Sequence, residues 1–152
     1  MGVIFLIVSV TVPTLASTRE SVYGWWITQG ATITVNDEAI GIVERYGFVG
    51  KGDRVCALEY MHVGNQVVTM IYKGKYSEGK AKISFLRSIK GEYLPEDGPL
   101  GTLDFFLGRT VLVRHMYFRR DISPRTSVFD RFTGPMPQKY VDELERECST
   151  VL

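Results

Sequence analysis

Few residues in this chain have side chains suited to chemistry. There are two cysteines, Cys56 and Cys148, and two histidines, His62 and His115. Together they could only form a zinc site, and their spacing matches no compact ligand pattern. No G-x-S-x-G segment presents a nucleophilic serine, and no glycine-rich loop follows a strand to open a helix around a phosphate. Carboxylate pairs such as Asp37-Glu38 and Glu96-Asp97 sit next to turns, where acids are normally solvated. The inventory argues against an enzyme, a resident metal or a cofactor. It leaves two chemistries, a disulfide and a buried binding site.

The disulfide depends on compartment. Residues 3–12 are apolar except for Ser9 and Thr11, Pro13 ends the run, and Thr14, Ala16 and Ser17 are small. This is the layout of a secretory signal peptide over residues 1–16, although no Lys or Arg precedes the apolar run. The run is too short to cross a bilayer core of roughly 30 Å. Cleavage after Ala16 or Ser17 leaves 136 or 135 of the 152 residues, one domain over 17–152. Outside the cell thiols oxidise, so a lone cysteine pair reads as a Cys56–Cys148 bridge. A net charge of +1 with scattered Lys and Arg gives no nucleic-acid surface, and no second apolar segment suggests a membrane span. The chain has no N-x-S/T sequon, so N-glycosylation is not expected.

A binding site must be positioned by the remaining chain, which is a succession of short β-rich runs. They lie at 38–48, 54–63, 66–74, 80–88, 90–94, 102–107, 109–118 and 126–132. Gly64-Asn65 separates two of them as a two-residue hairpin loop. Eight short strands joined by tight turns predict an all-β, antiparallel up-and-down barrel, a shape that can hold one small ligand. The segment "GPMPQKYVDELEREC" predicts a C-terminal α-helix, with Pro137 in its first turn and Val141, Leu144 and Cys148 on one face. Packed on the barrel wall, that face brings Cys148 to the strand holding Cys56.

A meander of this kind, preceded by a signal peptide and closed by a helix and a strand-to-terminus disulfide, resembles a lipocalin. It is most similar to the divergent salivary lipocalins of ticks, over roughly residues 25–148. In that family a Trp-bearing segment precedes the first strand, here "AIGIVERYGF". A polar loop, "VGKGD", then leads to the cysteine of the second strand, and the terminal helix ends in Cys, as in "PQKYVDELEREC". The wider lipocalin G-x-W signature occurs as Gly24-Trp25-Trp26. With the first strand at 39–47, both tryptophans are assigned to packing at the closed end of the barrel. The resemblance implies a secreted monomer that defends a blood-feeder by sequestering a host mediator, either a biogenic amine such as histamine or serotonin or a lipid. A second disulfide common in the family has no cysteines here. The family's amine-binding elements, a Cys-Asp pair and a Glu-Leu-Trp-like triplet, are not intact in "RTVLVRH" and "SVFDRF". That tilts the expected ligand toward a lipid or another largely apolar molecule.

Alternation along the strands nominates the lining of the cup: Ile40, Ile42, Val68, Met70, Tyr72, Ile83, Phe85, Val111 and Val113, with Phe105 and Phe129 added. Glu44 shares the parity of Ile40 and Ile42 and would suit an ammonium group. His115 follows Val111 and Val113, Tyr72 offers a hydroxyl, and Arg114 is assigned to solvent. The competing reading is a barrel whose interior is filled, a secreted interaction protein that binds a host protein through loops such as "LPEDGPLG" or "RRDISPRTS".

Overall fold

The computed structural model describes residues 21–28, 30–91, 99–118 and 125–152. The expected signal peptide lies outside the described residues, as do most of "LPEDGPLG" and of "RRDISPRTS". No helix among the described residues is long and apolar enough to cross a membrane.

Nine strands run in chain order: β1 (Gly24–Thr28), β2 (Ala31–Val35), β3 (Glu38–Lys51), β4 (Arg54–Val63), β5 (Gln66–Ser77), β6 (Lys80–Lys90), β7 (Pro99–Leu107), β8 (Val111–Phe118) and β9 (Arg125–Arg131). One helix, α1 (Gln138–Ser149), follows. Each strand from β3 to β9 pairs antiparallel with the next. β1 bridges β9 and β3 and closes an eight-stranded barrel, while β2 pairs only with the first part of β3. The expected up-and-down barrel with a C-terminal helix on its wall is therefore the fold.

Short turn chemistry drives this meander. The β2–β3 turn places Asn36 and Asp37 both at positive φ, as a two-residue type I′ loop requires. Gly64 at φ 57 opens the β4–β5 turn, the first central position of a II′ loop. These turns twist in the same sense as the strands they join, so consecutive strands pair directly.

The first barrel strand is not where alternation put it. Residues 39–47 belong to β3, the second strand of the barrel, and Cys56 lies on the third. The first strand is β1, opened by Gly24-Trp25-Trp26. Gly24 has φ +109, a conformation that a side chain rarely adopts, and Trp26 is buried in the core. The Arg131 guanidinium lies over the Trp26 ring, 4.2 Å from its centroid, and donates to the carbonyls of Tyr23 (2.9 Å) and Ser21. Trp26 thus packs at one end of the barrel, as expected of it. Trp25 points to the opposite face, against Tyr60 and the helix. The run at 90–94 also reads differently: Lys90 ends β6, and 92–94 lie outside the described residues.

Two apolar layers share the barrel wall. Inside it are Trp26, Tyr46, Phe48, Ala57, Met61, Val68, Met70, Tyr72, Ile83, Leu103, Phe105, Leu112 and Phe129. Outside, Leu58, Tyr60 and Ile71 of the sheet meet Leu144 and Cys148 of α1. Pro137 stands just before the helix, and its carbonyl accepts from Tyr140 N at 2.9 Å. Gly47 makes the close approach possible, because a Cβ there would sit 2.8 Å from the Trp25 ring and 2.9 Å from Leu144 Cδ2. Cys56 and Cys148 are bonded, with Cα atoms 5.7 Å apart at a sequence separation of 92. The cysteines are therefore a bridge and not metal ligands. The bridge fastens α1 to β4, and Arg54 adds a hydrogen bond to the Val151 carbonyl at 2.8 Å.

Candidate functional site

The bridge fixes the parity of β4. Cys56, Leu58 and Tyr60 face the helix, so Ala57, Glu59 and Met61 face the interior. The antiparallel register carries the same rule to its neighbours. Glu59 lies opposite Tyr46 on β3 and Met70 on β5. On β8 the inward parity is Leu112, Arg114 and Met116, since Leu112 is buried in the core and Met116 packs against it. The result is a charged layer across the middle of the barrel.

Arg114 is the centre of that layer and is only 4% exposed. Its Nη1 donates to the Tyr46 hydroxyl at 2.8 Å and its Nη2 to Ser127 Oγ at 3.1 Å. Nη1 also lies 2.8 Å from Glu44 Oε2 and 3.7 Å from Glu59 Oε1. The short Glu44 contact is an ion pair without hydrogen-bond alignment, so Glu44 Oε2 has no donor, and Arg114 Nε has no acceptor. Tyr72 donates to Glu59 Oε2 at 2.6 Å. Since β4 and β8 stand on opposite walls of the eight-stranded barrel, the layer spans its axis.

Two carboxylates share one guanidinium here. Burial pushes the Glu59 carboxyl up, the nearby Glu44 pushes it further, and Arg114 with the Tyr72 and Tyr46 hydroxyls pulls it back, leaving it at about 7. For Arg114, burial works against the charge, but Tyr46, Glu44 and Glu59 outweigh it and hold the guanidinium firmly protonated. Tyr46 and Tyr72 are both raised well above the usual phenol value, first by burial. They stay as hydroxyl donors throughout the physiological range.

The spaces on either side of this layer differ. On the Trp26 side, aromatic rings fill the barrel: Tyr46 meets Phe105 on the opposite wall at 5.0 Å and Phe129 at 5.2 Å, and Phe48 meets Phe105 at 5.2 Å. On the other side lie Ile42, Met61, Val63, Val68 and Met116, several of them only part-buried. Glu44 is 14% exposed against 2% for Glu59, so water reaches the layer from this second end.

The nominated lining is placed as follows. Val68, Met70, Tyr72, Ile83, Phe105 and Phe129 are buried in the interior cluster. Ile42 packs on that cluster from the second end, the upper one as the barrel stands with Trp26 below, Ile40 stands part-buried near the rim, and Glu44 joins the charged layer. Phe85 keeps the inward parity and its ring meets Tyr72 at 5.9 Å, yet it is 38% exposed. The β5–β6 register shifts beside Tyr72 loosen the alternation there. On β8 the assignment is reversed. Val111, Val113 and His115 face outward, with His115 5.0 Å from the Phe106 ring, and Arg114 is inside. The run Val111–Leu112–Val113 is apolar on both parities, so alternation alone does not fix which parity faces inward. The partners of Arg114 come from β3, β4 and β9, too distant in sequence to signal themselves.

Glu59, Tyr46 and Arg114 are the site residues that sequence reasoning passed over. A signal for Glu59 existed: once Cys56 is given to the outer helix, period two places Glu59 inside. Tyr46 follows from Glu44 in the same way.

Outside the barrel, an open cleft of about 400 Å³ runs between α1 and the sheet, lined by Tyr23, Trp25, Val49, Val141, Leu144 and Glu145 among others. It offers one carboxylate and no cluster of polar groups. The sequence matches no protein-family model and no curated protein.

Proposed function

We propose that this protein is a secreted carrier that sequesters a small cationic amphiphile, a biogenic amine such as serotonin or histamine, in the upper half of its barrel. It would act by lowering the free concentration of a host mediator, as the likeness to salivary lipocalins suggests. The observation that carries this reading is the charge count of the buried layer: Glu44 and Glu59 share Arg114, the only cation within ion-pair distance of them among the described residues. Burying three ionisable groups is expensive, and an interior serving only as core is more stable when apolar. Perturbed, clustered ionisable groups inside a concave fold are characteristic of sites. An ammonium ligand supplies the missing positive charge, and its aliphatic or aromatic body would rest on Met61, Val68 and Met116.

The same count turns the preference away from a lipid. A fatty-acid carboxylate would add a third anion to a single guanidinium. A long acyl chain would also need the space that Tyr46, Phe48, Phe105 and Phe129 occupy. The second reading, an interaction protein with a filled barrel, is favoured by those same rings touching across the axis. In that case the loops around 94–101 and 119–127 would carry the partner surface.

Calorimetric titration separates the two. Serotonin and histamine should bind wild type, and Glu44→Gln should weaken them about tenfold or more, the loss of one charge-assisted hydrogen bond. Arachidonate should bind no better than weakly. A folded protein that takes up none of the three supports the filled barrel and refutes the carrier.

A further inference from the structure

We propose that the Glu44–Glu59–Arg114 layer stores one proton while no ligand is bound and releases it when a cation enters, so that capture of the amine is an exchange of one positive charge for another. This deepens the carrier function and rests on it.

The argument begins with geometry. A single nitrogen, Arg114 Nη1, serves both carboxylates, at 2.8 Å and 3.7 Å, and also serves the Tyr46 hydroxyl. The other terminal nitrogen is turned to Ser127. The titratable and charged groups that face Glu59 can be taken strand by strand among the described residues. β3 presents Glu44 and Tyr46, β5 presents Tyr72, and β8 presents Arg114. The inward residues of the remaining strands include Trp26, Ile83, Leu103, Phe105, Ser127 and Phe129, none of which titrates near neutrality. Two more cations share the inward parity of β9: Arg131 lies over the Trp26 ring and donates to main-chain carbonyls, and Arg125 stands exposed opposite Met116 toward the other end. Among the described residues only Arg114 lies within ion-pair distance of Glu44 or Glu59, so these three groups reach neutrality by holding a proton or by holding a further cation.

Glu59 is where the proton resides. It is the most buried carboxylate among the described residues, and burial followed by Glu44 raises it to about 7 against the pull of Arg114 and of the Tyr72 hydroxyl on Oε2. The balance closes in both states. Without ligand, Arg114 offsets Glu44, and Glu59 is neutral. With an ammonium ligand bound, Arg114 and the ligand offset Glu44 and Glu59, and the Glu59 proton leaves to solvent. The ligand therefore competes with protons: affinity should fall about tenfold for each pH unit below 7 and level off above it. A carrier built this way holds its amine at the pH of blood and lets it go in an acidic compartment.

The test is titration of serotonin into the full protein by calorimetry in buffers of different ionisation enthalpy. About one proton should be released per serotonin at pH 6 and almost none at pH 8.5, as a group titrating near 7 dictates. Glu59→Gln should bind serotonin at least about tenfold more weakly at pH 8.5, and the binding that remains should release no proton and stay flat between pH 6 and 8.5. As a check without ligand, carbon NMR of the Glu59 carboxyl should titrate with a midpoint near 7 and not in the usual carboxylate range. If serotonin binds at pH 6 with no proton release, the exchange is overturned while the carrier function stands. If none of the amines binds at any pH, the carrier function fails and the exchange with it.

Discussion

Replacing Glu59 with Gln should change how stability depends on pH, and the size of the change follows from the position of the carboxyl. Glu59 titrates at about 7 in the folded protein against 4.5 for the ordinary side chain. The folded state therefore keeps a proton that the unfolded chain loses between these two values. Below pH 4.5 both states are protonated and the group is neutral in its effect. Between 4.5 and 7 the unfolded state is progressively favoured, and above 7 the penalty is constant. The difference corresponds to roughly 3 kcal/mol of stability lost across that window, at 1.36 kcal/mol per unit. Other groups contribute with the opposite sign. Burial, then Arg45 and Lys139, lowers His62, which favours the folded state above the ordinary histidine range. Glu147 is lowered by its bond from Arg87, a contribution lost only on acidification below the ordinary carboxylate range. Both are present in wild type and in Glu59→Gln, so they cancel in the difference between the two proteins. Urea unfolding at half-unit steps from pH 4.5 to 8 would measure it. The wild-type midpoint should fall relative to Glu59→Gln by on the order of 1 to 3 M across the range. A difference that stays flat with pH would show that Glu59 is ionised throughout, and would remove the basis for a stored proton.

The other predictions concern the frame around the site. Cys56→Ala opens a loop closed over 92 positions and should lose roughly 4 to 5 kcal/mol in denaturant unfolding on a chain-entropy account; oxidised, denatured wild type should show no free thiol. Arg114→Met leaves two carboxylates buried without a cation and should cost about 3 to 5 kcal/mol at pH 8. Adding Glu44→Gln to that variant should return part of the loss, and an unchanged or lower stability would argue against repulsion as the cause. Arg131→Ala uncovers Trp26 and leaves the Ser21 and Tyr23 carbonyls without their donor, so thermal unfolding should show a loss of about 2 to 3 kcal/mol. A red-shifted tryptophan emission should accompany it.

Much of the frame was legible in the sequence because local rules govern it. Period two in "KAKISFLRS" puts Ala81 and Ile83 inward, and both are fully buried. Gly64-Asn65 forms the hairpin that its residue types demand. The lone cysteine pair and the apolar stripe of the helix anticipate the bridge. What failed to show was long-range. The β-rich run at 39–47 and the polar loop after it draw the first strand away from Gly24-Trp25-Trp26. Its place is set by Arg131, more than a hundred residues later. Arg114 reads as solvent-facing when its cost of burial is judged residue by residue, whereas its four oxygen partners arrive from other strands. Period two within a strand can place Glu44 and Glu59 inward, but the meeting of these groups on Arg114 is a property of barrel closure and has no signature within any one strand.

The central claim is that a cationic ligand sits inside the barrel on this layer, and the methionine methyl groups report on it directly. Met61 and Met70 are in the interior cluster and Met116 packs against it, while Met136 precedes the helix outside the barrel. In protein labelled with carbon-13 at the methionine methyls, serotonin at pH 8 should shift Met61, Met70 and Met116 and leave Met136 unmoved. Intermolecular contacts to the Met61 methyl should appear at saturation. Binding that shifts Met136 alone, or that leaves all three interior methyls in place, would put the ligand outside the barrel and contradict the account.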